Sequence, residues 1–124
     1  MNKITITAGD VSLPAELNDN PTAQAVWGAL PIEGRANVWG DEIYFGIPVR
    51  AGQEPDARAE MEVGELAYWP PGNAFCIFFG PTPASTDERP RAASPANVLG
   101  QVLGDATLFR RVQAGTLVKI TRRD

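Results

Sequence analysis

Apolar and polar residues alternate from the start of the chain. Ile4, Ile6 and Ala8 interleave with Lys3, Thr5 and Thr7, the period-two pattern of a half-buried strand. Gly9-Asp10 signals a turn, and Val11, Leu13, Ala15 and Leu17 alternate again, so a hairpin is predicted over residues 1–17. Pro14 lacks the amide hydrogen that a central strand uses, which predicts an edge position or a bulge. The period then changes. Ala23, Val26, Trp27 and Leu30 follow an i, i+3, i+4, i+7 stripe. Asn20 is placed to cap, Pro21 suits the first helical position, and Pro31 ends the run, so a helix is predicted over 20–30.

Beyond Pro31 the pattern returns to short strands, at 36–39, 42–45, 46–49, 59–63 and 65–69. Pro70-Pro71-Gly72-Asn73 breaks the chain. The segment 74–79 has no polar residue and reads as a buried central strand. Phe75, Ile77 and Phe79 share one of its faces and Cys76 and Phe78 the other; one set fills the interior and the other faces a groove. A proline-punctuated loop is predicted over 80–95 and a strand over 98–103. A short helix follows over 105–114, with Asp105 as cap, Leu108, Phe109 and Val112 facing in, and Gly115 closing it. A last strand covers 117–121. The expected fold is mainly β: a closed antiparallel barrel of about eight strands with one or two short helices, in a single domain over residues 1–124. Side chains fill the interior of such a barrel, so a ligand is expected in a groove on its outer wall.

Composition narrows the chemistry. The chain has no histidine, which removes Ser-His-Asp and Cys-His nucleophile systems and His-ligated metals. Its single cysteine excludes an internal disulfide and fits a reducing compartment. The N-terminus has no signal-peptide apolar core, and the longest apolar run is six residues, so a soluble, cytoplasmic domain is expected. Charge is uneven: residues 1–88 hold thirteen acids and four bases, residues 89–124 two acids and seven bases. The bases are dispersed and not interleaved with aromatics, which argues against nucleic-acid binding. No cofactor or metal is expected; Glu60 and Glu62 share a strand face but lack a third ligand.

Three segments carry a family resemblance. They are Trp39-Gly40-Asp41-Glu42-Ile43-Tyr44-Phe45, the block from Ala67 through Tyr68-Trp69-Pro70-Pro71-Gly72-Asn73 to Pro83, and Ala93-Ser94-Pro95-Ala96-Asn97-Val98-Leu99-Gly100. Together they resemble small prokaryotic cyclophilin-like proteins, whose role is unassigned and which are shorter than true cyclophilins. The resemblance implies an eight-stranded antiparallel barrel with the helices at 20–30 and 105–114 as lids. Cyclophilins isomerise X-Pro bonds, with an arginine donating to the prolyl nitrogen beside an apolar pocket; the barrier is roughly 18–20 kcal/mol. Aligned on that pattern, Phe75 stands where cyclophilins have the site glutamine, and Ile77 where they have a site phenylalanine. The arginine-bearing segment has no counterpart, and Arg35 and Arg50 are the nearest arginines. The tryptophan with which cyclophilins contact a macrolide drug is also unmatched.

The candidate groove residues are therefore Glu42, Tyr44, Trp69, Phe75 and Thr82. A carboxylate beside a tyrosine in a cleft can handle a proton. Trp69, next to two prolines, offers an apolar platform with a polar handle. Thr82 lies between Pro81 and Pro83 in a stiffened loop. Cys76 has no base to activate it and reads as core. The expected function is binding of a small molecule or a Pro-containing peptide without the standard isomerase groups. The alternatives are a divergent prolyl isomerase using Arg35 or Arg50, and a module that forms homo-oligomers.

Overall fold

A computed structural model describes residues 1–123. The N-terminal hairpin forms as its pattern dictates, with β1 (Asn2–Ala8) and β2 (Val11–Leu17) in register from Asn2↔Leu17 to Ala8↔Val11. Asn20 then caps α1 (Pro21–Ala29), accepting from the Ala23 amide at 2.8 Å. Ala23, Val26 and Leu30 bury their side chains, while Trp27 stays half-exposed with the Arg122 guanidinium 4.4 Å above its ring.

Eight further strands follow: β3 (Ile32–Arg35), β4 (Asn37–Val38), β5 (Glu42–Gly46), β6 (Arg58–Glu60), β7 (Glu65–Trp69), β8 (Ala74–Phe78), β9 (Arg91–Val102) and β10 (Leu117–Arg122). All pairings are antiparallel, in the order β3-β10-β1-β2-β9-β7-β8-β5-β4, with β6 attached to β9. Among the described residues the fold is thus mainly β, with one α-helix and short 3-10 turns, but with ten strands where about eight were expected. The ladder does not close, because β3 and β4 end it and are not paired with each other. The two edges are joined in the chain by Ala36 alone. The β3 edge also lies against β5, the strand next to the other edge: Gly34 is so near Phe45 that a Cβ there would stand 2.6 Å from the ring.

Other differences from the sequence pattern have local causes. β2 is a central strand, not an edge. Pro14 is tolerated because its carbonyl, and so its missing amide hydrogen, faces the β9 side, where the paired register has ended at Ala15↔Val102. Residues 46–49 form no strand beyond Gly46, and β6 keeps only Ala59 and Glu60 of the segment expected at 59–63. β9 starts seven residues earlier than its apolar run, with Pro95 at a register shift against β6. The segment after Asp105 is a 3-10 helix (Ala106–Arg111). At three residues per turn, Ala106, Phe109 and Val112 stack inward and Leu108 is left 38% exposed.

One inner core gathers the inward faces of the sheet, including Ile4, Ile6, Leu17, Ile43, Phe45, Leu66, Tyr68, Phe75, Ile77 and Ile120. A smaller cluster lies on the outer face of β5, β7, β8 and β9: Met61, Ala67, Ala74, Cys76, Phe78, Ala92 and Ala96. Buried Asn97 ties the 50–57 loop to the sheet. Its amide donates to the Gly52 carbonyl (2.9 Å) and the Thr22 hydroxyl (3.1 Å), and its Oδ1 accepts from the Glu54 amide (2.8 Å). Asn97→Ala removes all three bonds, and the Thr22 hydroxyl keeps only its bond to the Glu54 carboxylate. The expected loss is about 2 kcal/mol, with faster proteolysis at 50–57, read by urea unfolding and by limited digestion. No helix among the described residues is long and apolar enough to cross a membrane.

Candidate functional site

Strand alternation builds the site. Along β5, Ile43 and Phe45 point into the inner core, so Glu42 and Tyr44 face outward. Along β7, Leu66 and Tyr68 point in, so Trp69 faces outward. Directly paired residues share a face. Glu42↔Phe78 and Tyr44↔Cys76 place Phe78 and Cys76 of β8 beside those two side chains on the outer face. The result is an open cleft of about 270 Å³ lined by Trp39, Glu42, Tyr44, Trp69 and Ala93.

Each wall is held in place. The Trp69 indole nitrogen donates to the Ser94 hydroxyl on β9 at 2.8 Å. Its ring also packs on the Pro70–Gly72 turn, where a Cβ at Gly72 would come within 3.0 Å of it. Trp39 stands across the Gly40-Asp41 turn, fixed by its amide donating to the Glu42 carbonyl at 2.9 Å. Asp41, next to Glu42, accepts from the Arg110 guanidinium at 3.0 Å. Tyr44 and Trp69 both pack against the outer cluster.

Glu42 is the one charged or acidic group lining the cleft, and it is only 5% exposed. Burial pushes its carboxyl up to about 7; the Cys76 thiol, hydrogen-bonded to it, pulls weakly the other way. Burial, and then the neighbouring Glu42 charge, push the Cys76 thiol well above its ordinary range, so it stays protonated at neutral pH. A carboxyl with this titration is half ionised near neutrality and can either donate or accept a proton there. A lone carboxylate does not make a cation-ligating set, and among the described residues no group of three acids or cysteines is clustered to hold a metal.

The structure brings Glu42, Tyr44 and Trp69 together but not the other two sequence candidates. Phe75 is fully buried on the inner face, its ring 5.7 Å from Phe45. Thr82 is buried away from the cleft. Its hydroxyl donates to the Arg91 carbonyl and accepts from the Ala84 amide at 3.2 Å, which pins the loop to the start of β9. Neither Arg35 nor Arg50 lines the cleft; Arg35 donates to the Gly115 carbonyl at 3.4 Å, and Arg50 is exposed. Trp39 and Ala93 line the cleft without having been singled out as candidates. Trp39 sits across a turn from Glu42, where strand periodicity does not carry, and Ala93 lies in the part of β9 that reads as loop.

The chain matches the cyclophilin-like family over residues 2–121. It belongs to that family. Among solved structures, the hypothetical protein AF2241 from Archaeoglobus fulgidus is 37% identical with a TM-score of 0.82, covering 98% of this chain and 95% of its own. McbB, solved in complex with tryptophan, is 18% identical with a TM-score of 0.73. That match covers 97% of this chain but 44% of McbB, and it establishes likeness of fold. No curated protein matches. In this cyclophilin-like chain, the two positions aligned with the site glutamine and phenylalanine of cyclophilins, Phe75 and Ile77, are both sealed in the inner core.

Proposed function

We propose that this cyclophilin-like domain binds a small molecule in the outer cleft between Trp39, Tyr44 and Trp69, over the Glu42 carboxyl. The observation that carries the reading is the wall itself. Three aromatic rings surround one buried titratable group at the margin of the outer apolar cluster. The volume of about 270 Å³ is at the small end for ligand sites, roughly 300–1,000 Å³. It suits a compact molecule or one prolyl ring, not a long peptide. Absence of an arginine from the lining favours binding over isomerisation. The same reading takes the curled sheet as a barrel whose seam is sealed by the Gly34–Phe45 contact, in a single cytoplasmic domain. A role in homo-oligomerisation has no comparable site to support it.

A thermal-shift screen of small molecules tests the reading. Compounds that raise the melting temperature are expected to lose at least tenfold in affinity in Trp69→Ala, since one aromatic contact is worth about 1.5 kcal/mol or more. Hits whose binding ignores both Trp69→Ala and Trp39→Ala place the ligand elsewhere and overturn it. On a Xaa-Pro peptide panel no rate gain is expected. Catalysis abolished by Trp69→Ala establishes the isomerase alternative instead.

A further inference from the structure

The cleft can be narrowed to a ligand class; this step rests on the binding reading above. Its lining offers three π-faces and one carboxyl, and no lysine or arginine. The negative faces of aromatic rings attract cations, and a carboxylate adds a full counter-charge. An anion would be repelled by the ring faces and by the ionised carboxylate. A neutral polar ligand would find few donors, because the Trp69 indole N–H is already committed to Ser94.

The rest of the molecule supplies a contrast. Trp27 has its face covered by this chain's own Arg122, 4.4 Å from the ring centre. Trp39 and Trp69 carry no such internal cation among the described residues, and the arginines near this part of the chain are engaged with acids. Arg110 reaches Asp41 (3.0 Å), Arg89 reaches Asp87 (3.2 Å), and Arg91 reaches Glu60 (3.8 Å). Glu42 therefore has no cationic partner of its own. We propose that the cleft is a cage for a small organic cation, an alkylated or methylated ammonium group, with Trp39, Tyr44 and Trp69 as walls and the Glu42 carboxylate as counter-ion.

The groups facing Glu42 are Cys76 and Phe78 from β8, Tyr44 from its own strand, and Trp39, Trp69 and Ala93 around the mouth. The titratable groups among these are the Tyr44 hydroxyl and the Cys76 thiol, and burial keeps the thiol protonated near pH 7. A bound cation draws Glu42 into its ionised form, so binding releases a proton and strengthens as pH rises.

Choline and its uncharged isostere 3,3-dimethyl-1-butanol separate charge from shape. Binding of each is read by quenching of tryptophan fluorescence and by calorimetry, at pH 6 and pH 8. Choline is expected to bind at least tenfold more tightly than the alcohol at pH 8, and several-fold more tightly at pH 8 than at pH 6. Glu42→Gln should remove the pH dependence and most of the preference while leaving the alcohol unaffected. Equal binding of the two probes, or no binding of choline at millimolar concentration, overturns the cation assignment. The binding reading stands through that failure if screened compounds of other chemistry still depend on Trp39 and Trp69, and falls if none does.

Discussion

Replacing Gly100 by alanine is expected to be the most damaging single-methyl change in the protein. Gly100 lies in β9 where that strand crosses closest to β2, and a Cβ there would stand 1.9 Å from the Glu16 carbonyl oxygen. It also follows the bulge at which β9 slips against β7, between Leu66↔Gly100 and Ala67↔Val98. The extra residue, Leu99, fills the inner core, and its carbonyl accepts from the Asn18 amide at 2.7 Å. The neighbouring Val98 carbonyl accepts from Asn18 and Asn20, so the bulge also fixes the start of α1. An alanine forces two paired backbones apart at this junction. The overpacking and backbone strain should cost about 4 kcal/mol, lowering the melting temperature by more than about 10 °C in a domain of this size. Gly28→Ala, in α1 with nothing within 4 Å, is the control. It should stabilise by about 0.5 kcal/mol through helix propensity. Thermal and urea unfolding of the two variants checks both signs; near-equal effects would mean that the β2–β9 approach is not tight in solution.

The second large effect is a dependence of stability on pH that runs through Glu42. Its carboxyl is raised from 4.5 to about 7 in the folded protein, because burial disfavours the charge. Between those values the folded state holds a proton that the unfolded state has released. Stability therefore falls as pH rises through this window, and the full contribution is present only below the unfolded value. At about 1.4 kcal/mol per pH unit the loss is about 3 kcal/mol by pH 8. Glu42→Gln has no charge to bury, so it should match the wild type near pH 4.5 and exceed it by about that amount at pH 8. The carboxyls of Asp87 and Asp105 are held below their usual range by hydrogen bonds, to Arg89 and to Thr107 respectively, so they titrate outside this window. The difference between variant and wild type, measured by urea unfolding from pH 4.5 to 8, isolates Glu42. A flat difference would place its carboxyl in contact with bulk water.

Much of this was legible in the sequence where a single strand decides the matter. The period-two pattern gave the β1–β2 hairpin, and the parity of β5 put Glu42 and Tyr44 on one face. Parity could not say which face of β8 looks inward, because all five of its residues are buried. Only the cross-strand partners, Phe45 and Tyr68 for Phe75 and Tyr44 for Cys76, resolve it. β3 was hidden because Ile32 is its one buried side chain and Gly34 is small to admit Phe45. The first half of β9 was hidden for a related reason: only Ala92 and Ala96 there join the outer cluster, and with a serine and a proline between them the composition reads as loop. These are demands of neighbours distant in sequence, and no local pattern records them.

The seating of both cores on the same strands has a practical consequence. Interior and cleft are written on alternate residues, so a change of cleft side chain does not alter the side chains of the inner core. Positions 39, 42, 44, 69 and 93 form a library surface for reprogramming recognition, while Ile43, Phe45 and Tyr68, immediately beside them in the chain, hold the scaffold constant. Cys76 and Phe78 are the exception: paired beside Tyr44 and Glu42 and buried in the outer cluster, they tie the cleft to the packing of the sheet's outer face.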